Sequence, residues 1–237
     1  MTDTYRLAQK TVRISTLFEA PHELCRDYRI AAEGEPDFSV EITPEDIERE
    51  REKATRPCSD PYLEILAVYR KIAEKMPAYG TVLVHGSAIA VDGKAYLFTA
   101  RSGTGKSTHA RLWRELLGER AVMVNDDKPL LHIADGRATV FGTPWNGKHR
   151  LGANIAVPLK AVCLLTRAED NIIVPIEKSE AYPELIRQIY RPADPEALRA
   201  TLSLIDSLTQ VVGLYRLGCN MEPEAARVAF ESMGGRL

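Results

Sequence analysis

Hydrophobic and polar positions along this chain follow different rhythms in different stretches. The longest helical rhythm runs from Tyr62 to Met76. There Tyr62, Ile65, Leu66, Tyr69, Ile72, Ala73 and Met76 recur at spacings of three and four, one stripe on one helix face. Ser59-Asp60-Pro61 stands ahead of it as a start signal. Such a stripe needs a larger partner, and the sheet that begins next is the expected one. Upstream, residues 11–17 and 38–42 read as short strands around loops with Pro21, Gly34 and Pro36. Thr43-Pro44-Glu45-Asp46 reads as a helix start: Thr43 caps, Pro44 suits the first helical position, and the carboxylates complement the dipole. Residues 46–53 are nearly all charged, so a solvated helix is expected there.

From residue 81 the pattern turns to strands. Residues 81–84 and 89–91 are short and apolar, Asp92-Gly93 is a hairpin turn signal, and residues 95–99 are the return strand. A Gly-rich loop, a helix over about 106–117 and a strand at 121–124 follow. Residues 130–133 and 138–141 form a second hairpin around Asp135-Gly136. Residues 161–166, 172–176 and 211–217 read as strands, and residues 180–190, 195–207 and 224–233 as helices. Hairpins mixed with βα units predict an α/β fold on a mixed β-sheet over residues 81–237. A small α+β segment, residues 1–80, precedes it and packs on it. No internal repeat or low-complexity segment interrupts the pattern.

Composition narrows the classes. The chain has 237 residues and a mass of 26.4 kDa, enough for a core without disulfides or a structural metal. Lys plus Arg is 31 and Asp plus Glu is 33, a net charge of −2, which disfavours a surface built to hold nucleic acid. That total averages unlike parts. Residues 31–60 carry 4 basic and 10 acidic side chains, whereas residues 101–150 carry 9 basic and 5 acidic. The N-terminus lacks the apolar core of a secretory signal, and the longest aliphatic runs, such as Ala161-Val162-Cys163-Leu164-Leu165, are far too short for a bilayer. A cytoplasmic protein without a membrane partner is expected. Cys25, Cys58, Cys163 and Cys219 are dispersed, without ligand spacing, and read as reduced thiols, with Cys163 in a core strand.

The most informative residues are Ser102-Gly103-Thr104-Gly105-Lys106-Ser107-Thr108, between a strand and a helix. A helix N-terminus offers free N–H groups and partial positive charge, and glycines let the backbone wrap a phosphate. Lys106 is expected to reach the β- and γ-phosphates, and the Ser107 hydroxyl to ligate Mg²⁺. The position five residues before Gly105, Gly in the full motif, is Ala100. The strand 121–124 then runs into Asn125-Asp126-Asp127. An apolar strand ending in Asp delivers carboxylate to the sheet edge, so this strand is expected beside the loop's own strand. One of Asp126 and Asp127 is expected to hold Mg²⁺ and the other to take a proton from an acceptor hydroxyl. Downstream, Thr143-Pro144-Trp145-Asn146-Gly147-Lys148-His149-Arg150 is rich in functional groups. Lys148 and Arg150 suit an acidic acceptor or a transferring phosphoryl group, Trp145 suits stacking on substrate, and Thr143 and Asn154 are candidates of the same kind. His85 is a candidate hydrogen-bond partner or proton relay. His109 and Trp113, one turn apart, pack the helix on the sheet or line the nucleotide site.

These residues, His85-Gly86, the Asp92-Gly93 hairpin, Ser102 to Ser107, the strand ending in Asp126-Asp127 and the segment Gly142 to Lys148, resemble the catalytic domain of HPr kinase/phosphorylase. That domain is related to the nucleotide domain of ATP-dependent phosphoenolpyruvate carboxykinase. The resemblance covers about residues 81–237 and implies a P-loop kinase fold. It implies phosphate and metal binding by Lys106 and Ser107, a catalytic and a metal-holding role within Asp126 and Asp127, and His85 near the active centre. The Arg-Pro-Gly-Arg-Asn loop of HPr kinase is absent; Arg191-Pro192 is its nearest remnant. The expected activity is an ATP- and Mg²⁺-dependent phosphotransferase acting on a hydroxyl of a small metabolite, such as serine, or of a small protein or peptide. A nucleotide-sensing module, or an NTPase driving a partner, are the alternatives.

Overall fold

The computed structural model describes all 237 residues. The N-terminal elements are β1 (Thr2–Leu7), β2 (Lys10–Ser15), α1 (Ala20–Leu24), β3 (Phe38–Glu41), α2 (Pro44–Lys53) and α3 (Asp60–Lys75). Then come β4 (Thr81–Leu83), β5 (Gly86–Val91), β6 (Lys94–Thr99), α4 (Lys106–Leu117), β7 (Ala121–Asn125), β8 (Leu130–Ala134) and β9 (Arg137–Phe141). The chain ends with β10 (Ala156–Arg167), β11 (Ile172–Pro175), α5 (Lys178–Gln188), α6 (Pro195–Val211), β12 (Gly213–Cys219) and α7 (Pro223–Ser232). No helix is long and apolar enough to cross a membrane.

The fold is mixed α/β, as the hairpins and βα units imply. Nine strands form the main sheet in the order β4-β8-β9-β10-β6-β5-β7, with β12 on β10 and β11 on β12. β6 pairs in parallel with β10, which pairs in parallel with β12; the remaining neighbours are antiparallel. The strand β7, expected beside β6, is separated from it by β5. The Asp92-Gly93 hairpin folds β5 back onto β6 and takes that edge first. Alternation along β6 sorts the core. Tyr96 and Phe98 face a layer with Trp113 of α4 and Phe230 of α7, while Ala95 and Leu97 face Leu185 of α5 and Ile205 and Leu208 of α6. The sheet is thus covered on both faces. Cys163 is buried within it, and all four cysteines are free thiols.

The N-terminal segment departs most from expectation. It holds a three-stranded sheet, β1-β2-β3, of which β1 has no turn signal after it. The β1–β2 connection is Ala8-Gln9, both at positive φ (46° and 67°), where Asn or Gly is usual. The α3 helix packs on α1, α2 and β3 rather than chiefly on the main sheet; its cluster takes in Leu83, Leu130 and Phe141 of that sheet and Trp145 of the segment after β9. Its buried face is therefore turned. Leu63, Ala67 and Val68 are buried along with Ile72, Ala73 and Met76, whereas Tyr62 is exposed and Ile65, Leu66 and Tyr69 are half-buried. Nor is α2 wholly solvated. Asp46 receives Lys71 Nζ at 2.5 Å, and Glu50 receives Arg70 Nε at 2.8 Å, both carboxylates buried against α3.

Glu64 of α3 is fully buried, and its carboxylate accepts the amides of Leu17 (2.6 Å) and Phe18 (2.9 Å) where the chain leaves β2. Charge-assisted bonds of this kind are worth more than neutral ones. Glu64→Ala leaves two backbone donors without a partner and is expected to cost about 3 kcal/mol in urea unfolding.

Candidate active site

The glycine loop after β6 has the geometry of an anion cradle. Gly103 (φ 78°) and Gly105 (φ 124°) both take conformations that side chains disfavour, and an added Cβ at either would meet only open space. It is the backbone conformation, not crowding, that requires glycine. Ala100 has no positive φ, so its Cβ is accommodated. At the start of α4 the amides of Gly105, Lys106, Ser107 and Thr108 donate to no acceptor in the protein, and no side chain caps the helix. Free donors together with a helix dipole are the chemistry that can hold an anion.

Two cations hold the loop from opposite ends. Lys106 is buried, and its Nζ donates to the carbonyls of Ala100 (2.9 Å) and Arg101 (3.4 Å). Burial and the neighbouring Lys128 ammonium pull the Lys106 ammonium below the usual lysine range, against the opposing pull of Asp127 and Asp126. Arg167, at the end of β10, donates to the carbonyls of Gly103 and Thr104. A carbonyl turned out to Arg167 turns the next amide, that of Gly105, to the other side of the chain. Arg167 lies in no motif. Only the parallel pairing of β10 with β6 brings it to the loop.

Across from the loop, β7 ends in Asn125-Asp126-Asp127. Asn125 is fully buried. Its Nδ2 donates to Thr143 O (3.1 Å) and Thr143 Oγ1 (3.0 Å), and its Oδ1 accepts the amides of Asp127 and Lys128, each at 2.8 Å. Asp126 is buried, with Oδ1 accepting the Ser87 hydroxyl of β5 at 2.6 Å. Asp127 is half-exposed, and its Oδ1 receives Lys128 Nζ at 2.7 Å and lies 3.7 Å from His85 Nε2. The two carboxylates therefore diverge in environment. Asp126 faces Ser107, Thr108 and His149 around a cavity of about 340 Å³; Asp127 faces Lys128 and His85.

The other sequence candidates are distributed unevenly. Ser102 and Ser107 are exposed at the loop, with Thr104 and Thr108 half-buried. His85 lies beside Asp127, its Nδ1 3.3 Å from Gln188 Oε1, and burial together with Lys128 and Lys106 depresses its pKa to about 4. Thr143 and Trp145 are buried, so neither presents a surface to a substrate. Thr143 braces Asn125, and Trp145 packs near Tyr69 with ring centroids 6.1 Å apart. Arg150 and Asn154 line a different cavity, where Asn154 Nδ2 donates to Asp27 O. Lys148 is exposed on the same segment. His109 and Trp113 are core: Trp113 Nε1 donates to His109 Nε2 at 3.0 Å, and both rings pack on Phe98.

The family model for "SynChlorMet cassette protein ScmC" matches residues 57–189, which is more than half of the chain. The chain belongs to the ScmC family. That match spans the glycine loop, the acidic turn and the segment after β9 of this ScmC-family protein. No curated protein matches it. Among solved structures, the Hpr(Ser) kinase/phosphatase from Coxiella burnetii is similar over 53% of the ScmC-family chain and 95% of its own, at 11% identity and a TM-score of 0.29.

Both His85 and His109 are held neutral, at about 4, where an exposed imidazole titrates near 6.5. Protonation therefore favours the unfolded chain. The stabilisation is complete above about pH 6.5 and is lost as pH falls toward 4. Urea midpoints are expected to drop across that window. His109→Gln keeps an acceptor for Trp113 and is expected to flatten the drop; an unchanged slope would assign it elsewhere.

Proposed function

We propose that this chain is an ATP- and Mg²⁺-dependent phosphotransferase acting on a hydroxyl acceptor. The observation that carries the reading is proximity: Ser107, behind the unpaired amides at the start of α4, lines one cavity with Asp126, and the Lys106 ammonium lies within electrostatic reach of Asp126 and Asp127. The amides would take the β- and γ-phosphates, and Lys106 would exchange its carbonyl partners for phosphate oxygens.

The residues present suit Mg²⁺. No group of three or more His, Cys, Asp or Glu side chains converges anywhere in the chain, so a cage made by the protein alone is not formed. One carboxylate and one hydroxyl across a roomy cavity fit a hard cation that completes its shell with phosphate oxygens and water. When bound, the ion would neutralise charge on the transferring phosphoryl group. Ser87, whose hydroxyl donates to Asp126 Oδ1, would orient that carboxylate for the ion. Asp127, half-exposed and unburdened by Ser87, is the group proposed to accept the acceptor's proton. His85, neutral at physiological pH, stands next to Asp127 as a relay. His149, which lines the cavity with Ser107 and Asp126, and Lys148 beside it in sequence would meet the acceptor or the phosphoryl group. This assigns separate roles to the two aspartates, which sequence leaves interchangeable.

Mg²⁺·ATP at a hundred times its Kd is expected to stabilise the chain by about 2.7 kcal/mol, roughly 5–10 °C in melting temperature. Lys106→Ala is expected to remove most of that shift, and no shift with any nucleotide would overturn the proposal. Incubation with γ-labelled ATP and a pool of cell metabolites and small proteins is expected to yield a labelled product. Asp127→Asn should abolish transfer while leaving the nucleotide shift intact, and Asp126→Asn should weaken the Mg²⁺ dependence. Normal turnover by both variants would refute the assignments. Arg167→Gln is expected to weaken nucleotide binding about tenfold by loosening the loop, seen as a smaller thermal shift.

A further inference from the structure

His85 is tied to the end of α5 by backbone and side chain together. Its N–H donates to Gln188 O at 2.8 Å, and its carbonyl accepts the Thr99 hydroxyl at 2.7 Å. Tyr190 N–H donates to Leu83 O at 2.8 Å, and Val84 bridges Ile189, so the chain leaving α5 runs antiparallel to the end of β4. On the other side, the Gly86 amide donates to Asp127 O at 3.1 Å. The backbone around His85 is thus fixed on both sides, and the ring is the part left to be oriented.

Gln188 reaches that ring. Its Oε1 lies 3.3 Å from His85 Nδ1. Gln188 is buried, and it lines a cavity with Ala100, Arg101 and Thr104 of the loop and a smaller one with His85 and Lys128. A neutral imidazole has one N–H, and the bond made by one nitrogen decides which nitrogen carries it. An amide oxygen only accepts, so Oε1 calls for the proton on Nδ1. The other nitrogen meets no acceptor at bonding distance. His85 Nε2 is 3.7 Å from Asp127 Oδ1, too long for an N–H···O bond, and that oxygen already receives Lys128 Nζ at 2.7 Å. Lys128 and Lys106, whose charges disfavour imidazolium, keep the ring to its single proton.

We infer that Gln188 is a positioning residue, holding the His85 ring with Nδ1 protonated and the Nε2 lone pair toward Asp127. An imidazole free in water prefers its proton on Nε2, so the fold reverses the default. On the phosphotransferase reading, Nε2 then offers a lone pair to the proton that Asp127 takes from the acceptor hydroxyl, while Nδ1–H stays on Gln188. That catalytic consequence rests on the proposed function; the tautomer does not.

Nitrogen NMR of the whole chain, made with isotope-labelled histidine and kept free of nucleotide at about pH 8, tests the inference where the ring is neutral. The signals of His85 are those lost in His85→Asn. They are expected to show Nδ1–H. Gln188→Leu is expected to move the proton to Nε2, and Gln188→Glu, which keeps an acceptor, to leave it on Nδ1. Circular dichroism establishes that the variants fold, and the unaltered chain decides the tautomer even where the Leu variant does not. Nε2–H in the unaltered chain, or Nδ1–H retained in a folded Gln188→Leu, overturns the inference. In the transfer assay, Gln188→Leu is expected to lower kcat about tenfold with KM for ATP unchanged. An unchanged kcat overturns the part in proton transfer, whereas a chain that transfers no phosphate at all refutes the phosphotransferase reading and leaves the tautomer to the NMR result.

Discussion

The candidate site depends on one buried amide. Asn125 sits at the end of β7 with no exposed surface, and all four of its hydrogen bonds go to backbone or to Thr143. Its oxygen bends the chain so that Asp126 and Asp127 leave the strand in different directions. Its nitrogen ties that bend to the segment after β9. Thr143 closes the circuit by donating to the carbonyl of Lys128 at 2.8 Å. A fully satisfied buried network of this kind specifies one geometry, because any partial version leaves polar groups unpaired. The acidic turn, the Lys128 ammonium and the segment after β9 are therefore set together.

Electrostatics around that turn are balanced rather than simply cationic. Lys106 and Lys128 repel each other, while Asp126 and Asp127 attract Lys106 and Asp127 pairs with Lys128. Lys106 Nζ donates to two loop carbonyls, charge-assisted bonds that tie the side chain back to the loop it follows. Of the basic side chains over residues 101–150, Lys106 and Lys128 meet at this centre, whereas Arg120 pairs with Asp92 at the other end of β7. Arg167 adds a further cation from outside that stretch.

Much of this was legible in the chain and some was not, for physical reasons. The Asp-Gly turns, the capping box at Thr43 and Asp46, and the glycine loop opening a helix each encode local geometry, and each occurs where the spacing places it. The acidic pair was legible as chemistry, but its placement was not: strand order follows from pairing between distant segments, so β5 standing between β6 and β7 leaves no trace in spacing. The β1–β2 hairpin escaped because Ala8 and Gln9 occupy left-handed positions without the usual residue types. Trp145 and Thr143 look functional in sequence because aromatic and hydroxyl groups beside glycines resemble a binding loop; burial assigns them to support.

The strand β10 gives this architecture a temporal dimension. Its first residues, Ala156–Pro158, pair with β9, and its later ones pair with β6 on one edge and β12 on the other. Ala161 thus meets both Tyr96 and Gly213, partners far apart in the chain. Contacts of such long range are slow to form, because loop closure precedes any gain from pairing. During synthesis the glycine loop leaves the ribosome well before Arg167, the residue that clamps it. The bonds from Arg167 to the loop form only once β10 has been made and docked. A nascent chain therefore carries the loop's sequence before it has the residue that braces it.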